Sequence, residues 1–224
     1  MTIFRDSFMA FILSIPLFVA TLFRFIMPVL QNFLIQYFDL SNYYDFITIF
    51  VLVMGPMMSG MVIGFNLLDD RDEDILSYMA ITPIRKEGYL LFKVFAPMVA
   101  AVIQSQLILL IFNPAHINFW RVQPLIFILA METPVYALIM ASLAGNKVEG
   151  LAIGKLLGVS LIGPFVSYFW LSKMKYISGI LPTFWICESY FASGSFYHLF
   201  LIIGLIYHIL LLRWTLRRFI QKSN

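Results

Sequence analysis

The chain of 224 residues is 61% hydrophobic, with a mean hydropathy of +0.89 and only 12% charged residues, about half the charged share of a soluble domain. That excludes a water-soluble fold. Fifteen Lys and Arg against twelve Asp and Glu leave a net charge of +3, too small and too dispersed to argue for nucleic acid, and the single Cys187 can close no disulfide within the chain.

Six spans of about 20 residues would use about 120 positions, leaving no room for a separate nucleotide-binding or catalytic domain. In chain order, the first apolar run covers about 8–38, interrupted only by Pro16, Arg24 and Pro28. At about 1.5 Å per residue it outruns a ~30 Å hydrocarbon core, so it tilts, kinks or begins as a surface helix. Arg5 and Asp6 precede it and no small-residue cleavage site follows, which reads as a retained span. The polar patch 39–45 closes the first loop. A second span, about 46–68, stops at Asp69-Asp70-Arg71-Asp72-Glu73-Asp74, a stretch that cannot remain in lipid.

Three further spans follow at about 89–112, 122–144 and 151–171. The stretch 176–196 mixes Gly179, Pro182, Glu188 and Gly194 with aromatics and reads as a re-entrant or interfacial segment on the outer side. A last span, about 197–212, ends at Arg213, Arg217, Arg218 and Lys222. The expected fold is therefore an all-helical, polytopic single domain of six transmembrane helices.

Lysine and arginine set its orientation, because cytoplasmic flanks retain positive charge on insertion. With both termini inside, eleven of the fifteen fall on the inner side, three (Arg121, Lys173 and Lys175) fall outside, and Arg24 lies within a span. Trp120 and Trp170 then mark the outer boundary and Trp214 the inner one, where amphipathic indoles prefer to sit.

The inner loop 67–88 carries the functional signal. Asp70 followed by Glu73 reads as a capping box opening a helix over about 70–82, with Ile75, Leu76 and Met79 forming an apolar edge. Thr82-Pro83 stops that helix and is placed to open the next, with threonine as N-cap and proline at the first helical position. So short a helix needs a partner surface to be stable. A calcium reading fails: Asp70, Asp72 and Asp74 match an EF-hand start, but Ile75 replaces the turn glycine and Ile81 the closing glutamate.

Several stretches are similar, in order along nearly the whole chain, to one known family: Arg24-Phe-Ile-Met-Pro28, Gly64-Phe-Asn-Leu-Leu-Asp-Asp-Arg-Asp-Glu-Asp74, Thr82-Pro83 with Tyr89-Leu90 and Lys93, Glu132-Thr-Pro134, Asn146-Lys-Val-Glu-Gly150 with Lys155, and Leu181-Pro-Thr-Phe-Trp185. The sequence resembles the integral-membrane permease subunits of type 2 ABC transporters, in particular the short bacterial drug- and fluoroquinolone-exporter permeases. The resemblance implies ATP-driven export from the bacterial cytoplasmic membrane by a permease that pairs with a second permease, identical or paralogous, and with separate ATP-binding subunits. It gives the coupling role to Asp72, Glu73, Asp74, Ile75, Leu76, Met79, Thr82 and Pro83, and leaves ATP and Mg to the partner, so this chain binds no cofactor and hydrolyses nothing alone. The very short stretch before the first span departs from a family pattern with a full interfacial elbow helix.

Other features weigh less. Gly150-Leu-Ala-Ile-Gly154-Lys155 lacks the first glycine and the Ser/Thr of a phosphate-binding loop. Gly60 and Gly64, and Gly150, Gly154 and Gly158, recur every fourth residue and allow close helix packing, within the chain or at a dimer seam. Arg24 and Glu132 are the ionisable residues deepest in spans; their depths differ by roughly 9 Å, so they pair directly only with tilt or a long arginine reach. Glu132 is either a structural carboxylate capped by polar neighbours or a contact for a cationic substrate on an aqueous path. His116, His198 and His208 lack metal-ligand spacing. Two rival functions remain open: an integral-membrane enzyme with Glu132 or His208 as a buried acid or base, or a passive channel or assembly factor.

Overall fold

A computed structural model describes residues 7–83 and 85–222; Arg5 and Asp6 lie outside the described residues. These form nine α-helices and no strand: α1 (Ser7–Leu34), α2 (Tyr44–Asp72), α3 (Ile75–Ala80), α4 (Arg85–Ile111), α5 (Phe119–Leu143), α6 (Lys147–Leu157), α7 (Ile162–Phe169), α8 (Pro182–Phe191) and α9 (Ser195–Lys222). Six segments are long and apolar enough to cross a membrane, with α6 and α7 counting as one. The chain is an all-helical membrane protein.

Helix α5 is the centre. It packs against α2, α4, α8 and α9, and most of its apolar window is buried, whereas α1, α4 and α9 turn most of theirs outward. Its burial explains why it is apolar on all sides, while the outer helices present Phe11, Phe18, Phe33, Phe92 and Leu110 to their surroundings. The glycines make the central contact possible. A Cβ on Gly60 would lie 2.7 Å from both the Thr133 carbonyl and Tyr136 Cβ of α5, one on Gly64 would press on Met140, and one on Gly150 would meet Leu68 of α2. This packing lies within one chain. Gly154 and Gly158 stand apart from it, with a single contact at 3.9 Å and none within 4 Å respectively.

Polar side chains inside the bundle satisfy one another or the backbone, since hydrocarbon offers no partner. Gln104 of α4 donates to the Leu13 carbonyl of α1 at 2.8 Å and accepts from Ser59 of α2 at 3.1 Å, tying three spans. The fifth span, expected over about 151–171, covers Lys147–Phe169 and is not one continuous α-helix. A 3-10 turn at Gly158–Leu161 divides it, and the Ser160 carbonyl accepts instead from the Thr183 hydroxyl of α8 at 2.5 Å.

The stretch 176–196 becomes a 3-10 turn (Lys173–Ile180) and α8, whose ten residues are about 15 Å long, half a membrane. Most of α8 is buried between α7, α9 and α5. Its Glu188 pairs with Lys175 at 2.5 Å and accepts from Ser167 at 2.9 Å. At this end of the bundle Tyr190 donates to Asp45, and Asp39 caps a 3-10 turn at Leu40–Tyr43. Hydrogen bonds from the Ser41 hydroxyl and the Gln31 amide hold the Asp39 carboxyl below the usual carboxylate range.

Replacing Gly60 with valine forces α2 away from α5 against backbone and Cβ atoms. We expect a loss of about 1–3 kcal/mol, read as a lower unfolding midpoint in detergent, while Gly158→Ala leaves the midpoint within about 0.5 kcal/mol of the parent.

Candidate functional site

The acidic loop sits where α2, α3 and α4 meet. Helix α2 runs through the expected stop and ends at Asp72, so Asp70 is an interior residue and not the N-cap of a capping box. The reason lies in distant partners. Asp70 is buried, accepting from the ammonium of Lys93 and, at 2.8 Å, from the hydroxyl of Tyr89, both on α4. Asp69 meets Lys147 of α6 at 2.7 Å. Arg71 reaches across to α5, donating to the carbonyls of Ala144 at 2.9 Å and Gly145 at 2.7 Å and more weakly to Ala141. These are the orphan acceptors at the α5 C-terminus, where a cation also complements the helix dipole. Three consecutive residues of α2 thus bind three different helices.

Helix α3 is one and a half turns long and is set off by two residues with left-handed backbone, Asp74 (φ 53°) and Arg85 (φ 55°). Asp74, not Asp70, precedes the helix, and its side chain caps nothing. Positive φ is costly outside glycine, less so for Asp than for Arg, and these two residues stand one on each side of α3. Thr82 does not open α4, which begins at Arg85; its hydroxyl donates back to the Met79 carbonyl at 2.8 Å and closes α3.

The candidate residues divide by exposure. Asp72, Glu73, Asp74 and Pro83 are exposed, whereas Ile75, Met79 and Thr82 are half-buried; the Leu76 side chain lies outside the described residues. Among the described side chains, the apolar groups that α3 and its end present outward are Tyr78 and Ile81, 65% and 86% exposed. Sequence periodicity missed both, because it marked which residues share a face without marking which face α4 covers. Ile75 points inward, lining a cavity of about 540 Å³ among α1, α2 and α4 with Leu13, Ile63, Phe92 and Pro97 as apolar lining and Ser59, Asn66 and the Asp70–Lys93–Tyr89 cluster as polar lining. A volume of this size suits a drug-sized molecule.

The two intramembrane charges are separated. Arg24 donates to the Ile111 carbonyl at 2.8 Å, capping α4, and Glu132 lies fully buried against His208 of α9, Oε1 to Nε2 3.6 Å. No Arg24–Glu132 pair forms, and no aqueous path reaches Glu132 in this conformation, since its exposure is zero. Sequence reasoning treated His208 as a histidine without metal-ligand spacing or as a buried acid or base, and did not pair it with Glu132; that partner lies on a different span and leaves no local signal. Among the described residues no group of three His, Cys, Asp or Glu side chains could hold a metal ion.

Breaking a buried ion pair on one side strands the other charge, at a cost of about 3–5 kcal/mol, while replacing both partners is far milder. Asp70→Asn should therefore lower the unfolding midpoint of the purified chain markedly, and Asp70→Asn with Lys93→Met should recover most of the loss.

The chain is similar over its length to two relatives from Mycobacterium tuberculosis, the fluoroquinolones export permease protein MT2760 of strain CDC 1551 / Oshkosh and the fluoroquinolones export permease protein Rv2686c of strain H37Rv. Each is 24% identical over 229 residues, covering 98% of this chain and 90% of the relative. No solved structure matches. The model of the family described as "Fluoroquinolones export permease protein Rv2686c-like" matches residues 1–216, and with six membrane-long apolar segments, α5 the most buried of them, the chain belongs to that family of membrane export permeases.

Proposed function

We propose that this permease is the membrane-spanning subunit of an ATP-driven ABC exporter, gripped by separate ATP-binding subunits at α3. One observation carries the reading: the short helix that presents Tyr78 and Ile81 outward is flanked by residues tied to α4, α5 and α6. A push on α3 therefore reaches three other helices at once. In this mechanism the partners bind ATP and Mg and close together, α3 moves with them, and Arg71 and Asp70 carry the displacement into α5 and α4, parting the spans. Energy enters through the partner, and this chain alone hydrolyses no ATP.

The basic end of the bundle, where α2, α5 and α9 finish, is taken as cytoplasmic, with both termini there, because eleven of the fifteen Lys and Arg fall on that side. A bacterial cytoplasmic membrane is the setting. The outward apolar faces of α1 and α4 meet lipid and a second permease subunit, a copy of this chain or a paralogue. The cavity lined by Ile75, mostly apolar with a few polar groups, suits an amphipathic compound entering from the cytoplasmic leaflet, in keeping with relatives named for fluoroquinolone export.

Co-expression with candidate ATP-binding subunits tests the docking. The wild-type chain should capture its ATPase, and Tyr78→Asp or Ile81→Asp, each placing a charge in an apolar contact, should cut capture about tenfold or more with folding unchanged. Undiminished capture by both variants overturns the assignment.

A further inference from the structure

The contact between α5 and α9 encloses a cluster of polar atoms that no transport step above uses. Glu132 and Tyr136 lie one turn apart on α5, His208 faces them from α9, and all three are fully buried. Neither Glu132 carboxyl oxygen, nor the Tyr136 hydroxyl, nor His208 Nε2 has a hydrogen-bond partner among the described residues. Buried polar groups are almost always satisfied, so four such atoms in one place require a cause.

The geometry supplies one. His208 Nδ1 lies 2.7 Å from the Gly204 carbonyl, which can only accept, so Nδ1 carries a hydrogen. In a neutral ring Nε2 then holds a lone pair, and that lone pair faces Glu132 Oε1. Two lone pairs repel at this distance unless a proton lies between them, either as carboxylic acid beside imidazole or as carboxylate beside imidazolium. Both forms hold one proton beyond the Nδ1 hydrogen, and both are neutral as a pair.

No other group can take that proton's place. On α5 and α9 the remaining neighbours are Tyr136 and Tyr207, and on α8 Cys187 lies within electrostatic reach of the carboxylate. All are neutral acids. Glu188, beside Cys187, is committed to Lys175 and Ser167. The titratable residues of α2 are confined to 44–45 and 69–72, those of α4 to 85–93, and those of α6 to 147–155. Loss of the proton would leave a bare carboxylate inside the bundle, at a cost of several kcal/mol.

We propose that Glu132 and His208 form a one-proton binding site, loaded while α5 and α9 are in contact and exchanging with water when they part. On release an O–H or N–H bond breaks, the proton passes to water, and the pair is left with one negative charge that the entering water solvates; reclosure reverses each step.

The test counts protons and needs no ATPase partner, so its outcome is independent of the docking assignment. Full-length chain in detergent is unfolded with dodecyl sulfate in weakly buffered solution at about pH 7.5 with an indicator dye. There an unfolded glutamate is ionised and an unfolded histidine mostly neutral. Wild type should release about one proton per chain more than Glu132→Gln, and more than Glu132→Gln with His208→Gln, in which two amides replace the pair; other groups cancel in the difference. The unfolding constant of wild type should also rise about tenfold per pH unit, relative to either variant, as pH climbs above the range of an unfolded histidine. The native pair keeps a proton that the unfolded chain has lost, so its stabilisation is complete below that range and is lost progressively as pH rises above it, until the native pair itself gives up the proton. Equal proton release by wild type and the double variant overturns the proposal, even where the single variant fails to fold.

Discussion

Every helix that ends inside or beside a membrane leaves carbonyl groups without partners, and the way this chain answers them organises the rest of the structure. Three arginines do it, each from a different span. Arg71 of α2 covers the end of α5, Arg121 of α5 covers the end of α8 through the carbonyls of Tyr190 and Ala192, and Arg24 of α1 covers the end of α4. A guanidinium suits the task because it offers five donors in a fixed fork and stays charged beside the negative end of a helix dipole. The same contacts that satisfy the backbone also fix which helices are neighbours.

At the end of the bundle where α2 and α5 finish, these contacts have a mechanical consequence. Because Asp69, Asp70 and Arg71 each bind a different helix, the last turn of α2 cannot move alone. Helix α3 hangs from that turn between two left-handed residues, short enough to have no stability of its own. Its geometry is imposed by what it is attached to, which is the property a lever requires. The cavity beside it shares Asp70 and Ile75 with the same elbow, so the space that suits an amphipathic molecule and the handle proposed for the motor are separated by no more than a side chain.

The centre of the bundle obeys the opposite rule. Around Glu132 and His208 the polar atoms are enclosed but not committed, whereas Gln104, Thr133 and Thr183 nearby each find a backbone or side-chain partner. The contrast within one core separates polar groups that hold helices together from a pair whose charge state depends on whether those helices are together. It also places the pair at the contact between the most buried span and the last one.

The amino-acid sequence by itself determined that the chain is helical, crosses the membrane six times and turns its basic residues to one side, because hydropathy, span length and the cost of charge in lipid act locally and are written in consecutive residues. The run 69–74 likewise announced an exit from the membrane. What only the tertiary structure decided is what those residues hold. Asp70 lies inside α2 and binds Lys93 instead of capping a helix, Thr82 closes α3 instead of opening α4, and the fifth span breaks at Gly158 because Thr183 of α8 is there to receive the freed carbonyl of Ser160. Likewise the outward face of α3 carries Tyr78 and Ile81, and Glu132 meets His208 and not Arg24. Apart from the local turn at Thr82, each of these depends on a partner on another helix or on which side of a helix its neighbour covers, and periodicity in one segment carries no information about either.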